Sequence, residues 1–298
     1  MRRLLALALL TGACAAGGPS GLSPATPLAG AETGGDPVLV GAGDIAECRG
    51  DLLTARLLDS IAGTVFTAGD NAYYYGTLED YARCYTPSWG RHRARTRPSP
   101  GNHDFRSGGG SDYFTYFGDA AGDPSRGYYS YELGTWHVVS LNSNCVAVGG
   151  CQTGSPEETW LRADLAAHPA RCTAAYWHHP AFSSGQHGGN LQALHDIWND
   201  LYEAGAEVVI NGHDHDYERF APQDPSGHLD REKGIREFVV GTGGASLYRF
   251  REPVANSEKR NDRSWGVLKL TLHADNYEWE FIPVPGGNFT DLGSTPCH

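Results

Sequence analysis

Short apolar runs that end in polar tips, separated by stretches with helical spacing, predict an α/β protein built on mixed β-sheets covered by helices. Two observations carry that prediction. The chain reads strand–helix–strand at its start, strand pairs in its middle, and helix–strand with a closing hairpin toward its end. In addition, five separate strand candidates stop at a residue able to bind a metal. Ligands of open α/β sheets gather beyond the carboxyl ends of the strands, so these scattered tips are expected to converge on one site.

The run PVLVGAGD (37–44) is a buried strand with Asp44 at its tip, and LLTARLLDSI then repeats apolar residues at helical spacing. TVFTAGDN (64–71) is a second strand that again ends in Gly-Asp, at Asp70. TRPSPGNHD (96–104) reaches a third polar tip, and its two prolines make this strand very short or place it at a sheet edge. YYSYELGTWHVVSLNSN (128–144) alternates like two antiparallel strands turning at Gly134-Thr135. In SPEETWLRADLAAH, Ser155 precedes Pro156 and Glu158 holds the capping-box position, so a helix starts there. TAAYWHHP is a strand ending in His178 and His179. NLQALHDIWNDLYEAG places Leu191, Leu194, Trp198 and Leu201 on one helical face and closes at Gly205. AEVVINGHDH is a further strand, tipped by His213 and His215, and GVLKLTLHADNYEWEFIPV is a hairpin turning near Asp275-Asn276.

The beginning of the chain has a different character. Residues 1–16, MRRLLALALLTGACAA, are a basic start, an apolar run and small residues, the pattern of an export signal. The apolar run from Leu4 to Leu10 is far short of the roughly 20 residues a transmembrane helix needs. Cys14 after Thr11-Gly12-Ala13 resembles a bacterial lipidation site with Thr in place of the usual Leu, so a lipid anchor and simple cleavage with release both stay open. Residues 17–36 are rich in Gly, Pro, Ser and Ala and read as a flexible tether. With no repeat and no second linker, residues 37–298 form one domain.

Composition narrows the function. A formal charge of −12 argues against a nucleic-acid partner, because phosphate backbones reward a basic surface. The one basic run, RHRARTR with Arg91, Arg93, Arg95 and Arg97, reads as a solvated edge or loop. Apart from Cys14 there are six cysteines, an even number that suggests disulfides in an exported chain. Cys145 and Cys151 bracket a Gly-rich segment and could close a small loop, but six cysteines allow 15 pairings. No Cys-x-x-Cys spacing is present to suggest a cysteine zinc site.

The chemistry-bearing groups are GDIA with Asp44, GDNAY with Asp70 and Tyr73, GNHD with Asn102, His103 and Asp104, HHP with His178 and His179, and GHDH with His213 and His215. Carboxylate, amide and imidazole donors together suit a borderline or hard divalent or trivalent ion. A glycine before four of the tips suggests that the backbone turns sharply there while the next side chain points inward. One Gly-Asp tip alone would be a common turn. This order of motifs resembles the calcineurin-like metallophosphoesterase family, and specifically its purple acid phosphatase branch, from Asp44 to His215, with FVVGTGGA (238–245) also similar. Most of that superfamily has a ligand histidine two residues after the first aspartate, where this chain has Ala46. The purple branch supplies a tyrosine three residues after the second aspartate instead, and Tyr73 stands there.

The resemblance implies a four-layer α/β/β/α sandwich of two mixed β-sheets flanked by helices. It implies Fe(III) held by Asp44, Asp70, Tyr73 and His215, and a divalent ion (Fe, Zn or Mn) held by Asp70, Asn102, His178 and His213, with Asp70 as the bridge. His178 rather than His179 fits the family's His-x-Pro, given Pro180. Asp214 is expected to point elsewhere and Asp216 to orient a ligand. His103 and His187 would be the catalytic histidines, binding phosphate and protonating the leaving group. The implied reaction is acid-tolerant hydrolysis of small phosphate monoesters by attack of metal-held hydroxide between ions about 3.5–4 Å apart. Two rivals remain: a phosphodiesterase or nucleotide-cleaving enzyme of the same fold, and a non-catalytic surface protein that binds metal or phosphate. His92, His137, His168, His195, His228, His273 and His298 have no such context and read as solvated or core-satisfied. GAGDIA lacks the third glycine of a dinucleotide loop, and no Gly-x-Ser-x-Gly elbow occurs. The expected location is outside the cytoplasm: secreted, periplasmic or lipid-anchored at the cell surface.

Overall fold

The computed structural model describes residues 35–298. The predicted export signal, Cys14 and residues 17–34 of the predicted tether lie outside the described residues. Contacts with the domain already begin at the tether's last residue, since Asp36 Oδ2 lies 2.7 Å from His273 Nδ1.

In chain order the strands are β1 (Val38–Ala42), β2 (Thr64–Ala68), β3 (Thr96–Ser99), β4 (Tyr129–Leu133), β5 (Trp136–Ser140), β6 (Thr173–Tyr176) and β7 (Ala206–Asn211). There follow β8 (Tyr217–Phe220), β9 (Arg236–Val240), β10 (Ser257–Asn261), β11 (Gly266–Leu272), β12 (Asn276–Pro283) and β13 (Asp291–Pro296). The helices are α1 (Asp51–Ser60), the single turn α2 (Leu78–Asp80), α3 (Ser111–Phe117), α4 (Pro156–Ala167) and α5 (Leu191–Glu203). One sheet has the order β13-β12-β11-β1-β2-β3 and the other β10-β8-β9-β7-β6-β5-β4. β1, β2 and β3 are parallel, as are β5, β6, β7 and β9, while the remaining pairings are antiparallel. Both sheets are therefore mixed. β3, which contains Pro98 and ends before Pro100, lies at an edge.

Period-two alternation decides which residues face where. In β5, β6 and β7, Val138, Ala174, Tyr176, Val208 and Ile210 join a core shared with the other sheet, where Leu39, Val65, Phe66, Leu268 and Leu270 lie. The intervening Val139, Ala175 and Val209 pack with Leu161 of α4 and Leu194, Trp198 and Leu201 of α5. Phe66 meets Tyr176 across the sheets with ring centroids 5.7 Å apart. With α1 contacting β11 on its side, the four-layer α/β/β/α arrangement is the one expected.

Some local expectations need correction. Ser155 Oγ accepts from Glu158 N at 3.3 Å, but the Glu158 carboxylate reaches one residue past the cap and accepts from Gly154 N at 2.8 Å. The basic run lies in a 3₁₀ segment (Trp89–Arg95) that leads into the edge strand β3, with Arg91 and Arg93 exposed, and it serves α1. Arg95 donates at 2.7 Å to the carbonyls of Leu58 and Gly63, and Arg91 grips Asp59 with two bonds of 2.8 and 2.9 Å. Arginine thus satisfies carbonyls that a helix end leaves open. The disulfides are Cys48–Cys84, Cys145–Cys151 and Cys172–Cys297.

Candidate metal centre

The polar tips all sit at the carboxyl edge of parallel strands. Asp44 follows β1, Asp70 follows β2, Asn102 and His103 follow β3, His178 follows β6, and His213 and His215 follow β7. Asp44, Asp70 and His213 have φ of 58°, 48° and 72°. A non-glycine residue in the left-handed region costs on the order of 1–3 kcal/mol, so three strained tips around one point mark a functional constraint. The sharp turns expected of the preceding glycines are made largely by these residues themselves. At Gly101 the glycine is needed for close approach instead, because a Cβ there would lie 2.1 Å from Asp70 Oδ1. At Gly212 it would lie 2.5 Å from Asp44 Oδ2.

Tyr73 Oη lies 2.9 Å from Asp44 Oδ1, 3.1 Å from Asp70 Oδ2 and 3.0 Å from His215 Nε2. His215 Nε2 is 3.2 Å from Asp44 Oδ1. A second set adjoins the first through Asp70: His178 Nε2 is 3.3 Å from Asp70 Oδ2, 3.0 Å from Asn102 Oδ1 and 3.2 Å from His213 Nδ1. The other ring nitrogens are committed. His178 Nδ1 donates to the Ala68 carbonyl at 2.9 Å and His215 Nδ1 to the Ser246 carbonyl at 2.7 Å. With Nδ1 donating, the neutral form of each ring, which is the form a metal ligand takes, turns its Nε2 lone pair toward the neighbouring donors.

One phenol proton cannot reconcile three acceptors. Cations would, because donors held at about 2.0–2.2 Å from one ion lie roughly 3–3.5 Å from one another. The backbone carbonyls behind His178 and His215 are the outer support that metal-ligating histidines usually have. The seven side chains named from sequence thus meet as two donor sets sharing Asp70, and their chemistry fits two ions.

Charge couples the two donor sets strongly, and without a cation it favours protons on His178 and Tyr73. Burial would raise Asp70, but the His178 and His103 imidazoles outweigh it and hold the carboxyl well below its usual range. Burial would lower His178, yet Asp70 and Asp44 raise it to about 9. Burial, reinforced by the His178 and His179 imidazoles, pushes His213 far down. Burial and the carboxylates of Asp44 and Asp70 lift the Tyr73 phenol well above its ordinary value. A phenolate at Tyr73 therefore requires positive charge beside it.

Buried carboxylates hold the loops. Asp104 accepts from Gly101 N at 2.8 Å, Tyr81 Oη at 2.8 Å, Asn71 N at 3.1 Å and Asn71 Nδ2 at 3.0 Å. It ties the loop of Asp70 to that of Asn102. Asp214 accepts from Ser183 Oγ at 2.5 Å, His187 N at 2.7 Å and Gly188 N at 3.1 Å. Glu237 and Glu218 take the amides of Ala181 and Ser184 at 2.8 and 2.7 Å. The expectation for Asp216 is corrected: its carboxylate oxygens are buried with no hydrogen-bond partner among the described residues, so it orients no ligand by a hydrogen bond. Asp214, two residues earlier, does the positioning.

His103 Nδ1 is anchored to the Tyr74 carbonyl at 2.8 Å, leaving Nε2 3.8 Å from Asp70 Oδ2. His187 is exposed at the rim, its ring 4.5 Å from that of His213. Two aromatic neighbours escaped sequence reasoning. His179 lies against the donor set beside His213, 4.5 Å between ring centroids, and Tyr248 stacks on His215 at 4.0 Å. No local pattern marks Tyr248, whereas His179 stood in plain view beside the preferred His178.

A double-sheet α/β fold with two donor sets sharing one carboxylate at the strand tips defines the metallophosphoesterase class of protein. The family model described as calcineurin-like phosphoesterase matches residues 39–217, over half of the sequence, and the chain belongs to that family. Within it the similarity runs to the purple acid phosphatase branch. Purple acid phosphatase 21 of Arabidopsis thaliana is 28% identical over 286 residues, covering 82% of this chain and 62% of the plant protein. An uncharacterized protein of Mycobacterium tuberculosis is 29% identical over 187 residues, covering 50% of this chain and 35% of that one. The chain thus spans less than two thirds of these relatives' length. Among solved structures, the purple acid phosphatase of yellow lupin seeds superposes with a TM-score of 0.73 at 20% identity, covering 87% of this chain and 53% of that one. GAP50, the anchor in the inner membrane complex of Plasmodium, shares the fold with a TM-score of 0.67 at 13% identity over 89% and 90% of the two chains.

Proposed function

We propose that the chain hydrolyses phosphate monoesters at this centre. Asp44, Asp70, Tyr73 and His215 would hold Fe(III), and Asp70, Asn102, His178 and His213 a divalent iron, zinc or manganese ion. The observation that carries the reading is the contact of seven donor side chains at 2.9–3.3 Å in two sets joined by Asp70. Two such ions, when bound, would supply a Lewis-acid clamp for phosphoryl oxygens and the means to ionise a water nucleophile at low pH. The chain's own residues do the rest. His103, fixed at Nδ1, presents Nε2 to bind a phosphoryl oxygen or carry a proton. His187, its backbone held by Asp214, stands at the rim where a leaving alkoxide takes up its proton.

Three disulfides suit an oxidising compartment. That supports an exported protein, secreted, periplasmic or lipid-anchored through Cys14. Among the described residues no helix is long and apolar enough to cross a membrane. The test compares turnover of p-nitrophenyl phosphate with that of its bis-ester after metal loading, together with elemental analysis. The expected result is a clear preference for the monoester. Preference for the diester favours the phosphodiesterase rival, and two bound ions without turnover of either ester favour the non-catalytic one.

A further inference from the structure

His179 belongs to neither donor set, yet it borders the divalent side. Its ring lies 4.9 Å from that of His178 and 4.5 Å from that of His213. Its backbone is fixed on both sides: the amide donates to Ser143 Oγ at 2.9 Å, and the carbonyl accepts from Trp177 Nε1 at 2.7 Å. Ser143 is buried, and its Oγ also lies 2.8 Å from His179 Nδ1. Among the described residues, Nδ1 is the one acceptor within reach of that hydroxyl proton. The hydroxyl therefore donates to Nδ1, and the ring proton sits on Nε2.

An Nε2 that carries a proton offers no lone pair to a metal. It also finds no hydrogen-bond acceptor among the described residues, and it does not count among their fully buried, unpartnered polar atoms. A donor held without a partner and not fully buried, on a ring with a nitrogen within 4.8 Å of donor atoms of His178 and His213, suits an anion that arrives with the substrate. We propose that His179 is a substrate-contact residue whose Nε2–H donates to a non-bridging phosphoryl oxygen on the divalent side. The inference rests on the phosphate-ester reading given above. Ser143 acts through it, as the positioning residue that locks the tautomer.

The test uses the metal-loaded full chain and inorganic phosphate as the probe, read by calorimetric titration alongside metal content. His179→Phe keeps a ring but lacks the donor. It should retain both ions while phosphate binding weakens by about 10- to 100-fold, below the roughly 100- to 1,000-fold seen in turnover when one donor to a transition-state oxyanion is deleted. His179→Gln, with an amide N–H of similar reach, should recover part of the loss. Ser143→Ala should weaken phosphate by a smaller factor at unchanged metal content. Phosphate affinity unchanged in His179→Phe overturns the inference, and so does loss of an ion, which would make His179 a ligand. If the wild-type protein turns over no ester but its phosphate affinity still depends on His179, the phosphatase reading fails while the contact stands.

Discussion

Asp104→Asn separates the support of the centre from its ligands. The carboxylate is fully buried and accepts four hydrogen bonds, from Asn71 N, Asn71 Nδ2, Gly101 N and Tyr81 Oη. Hydrogen bonds to an ionised group contribute roughly 1.5–3 kcal/mol, against about 0.5–1.5 kcal/mol for neutral pairs; with its oxygen in the place of Oδ2 the amide keeps three weakened bonds, and its NH2 meets the Tyr81 hydroxyl, which must accept instead of donate, for a loss of about 4 kcal/mol. Part of that is returned, because burial, with the nearby Asp70, raises the Asp104 carboxyl and so disfavours its charged form. The expected net loss is about 2–3 kcal/mol, read as a lower urea midpoint at unchanged slope. Asp70 and Asn102 sit on the two loops that Asp104 joins, so metal affinity should also fall, by roughly 10- to 100-fold. Urea unfolding of the metal-free protein and metal retention on dialysis measure the two effects separately. A stability loss below about 0.5 kcal/mol with both ions held as tightly as before would refute the reasoning.

Tyr73→Phe should abolish the visible charge-transfer band of the iron-loaded protein, and an unchanged absorbance spectrum would remove Tyr73 from the ligand set. Asn102→Ala should strip mainly the divalent ion, so elemental analysis finding two ions per chain would count against its assignment. Glu157 gives a pH prediction. Burial pushes its carboxyl up to about 8 from a usual 4.5, only partly offset by the Asn142 amide at 2.6 Å. Between these values the native state holds a proton that the unfolded chain has released, so stability falls as pH rises from about 4.5 to about 8, by a few kcal/mol. Glu157→Gln stays neutral and can still accept from Asn142, so it should flatten that decline; parallel stability curves for the two proteins would reject the account.

Much of the fold was legible because its central strands are short apolar runs with distinct ends. β1, β2, β6 and β7 and helices α4 and α5 lie where periodicity puts them. Strands β8, β9, β10 and β13 did not stand out, for a physical reason. Glu218 and Glu237 sit fully buried within β8 and β9 because they accept loop amides, so a charged residue occupies a core position. β10 (Ser257–Asn261) and β13 are polar strands paired on one side, with no apolar run to show them.

The sequence by itself determined the donor types and their order. Asp44, Asp70, Tyr73, Asn102, His178, His213 and His215 carry their own chemistry, and the replacement of a histidine by Ala46 together with Tyr73 is readable one letter at a time. Tertiary structure alone decided the supports: Asp104 joining two loops, Asp214 rather than Asp216 holding the His187 segment, and Ser143 fixing which nitrogen of His179 carries the proton. A ligand's identity is local, set by its side chain. A carboxylate's partner or a histidine's tautomer is set by which distant amide or hydroxyl the folded chain brings within about 3 Å, and a linear pattern does not encode that distance.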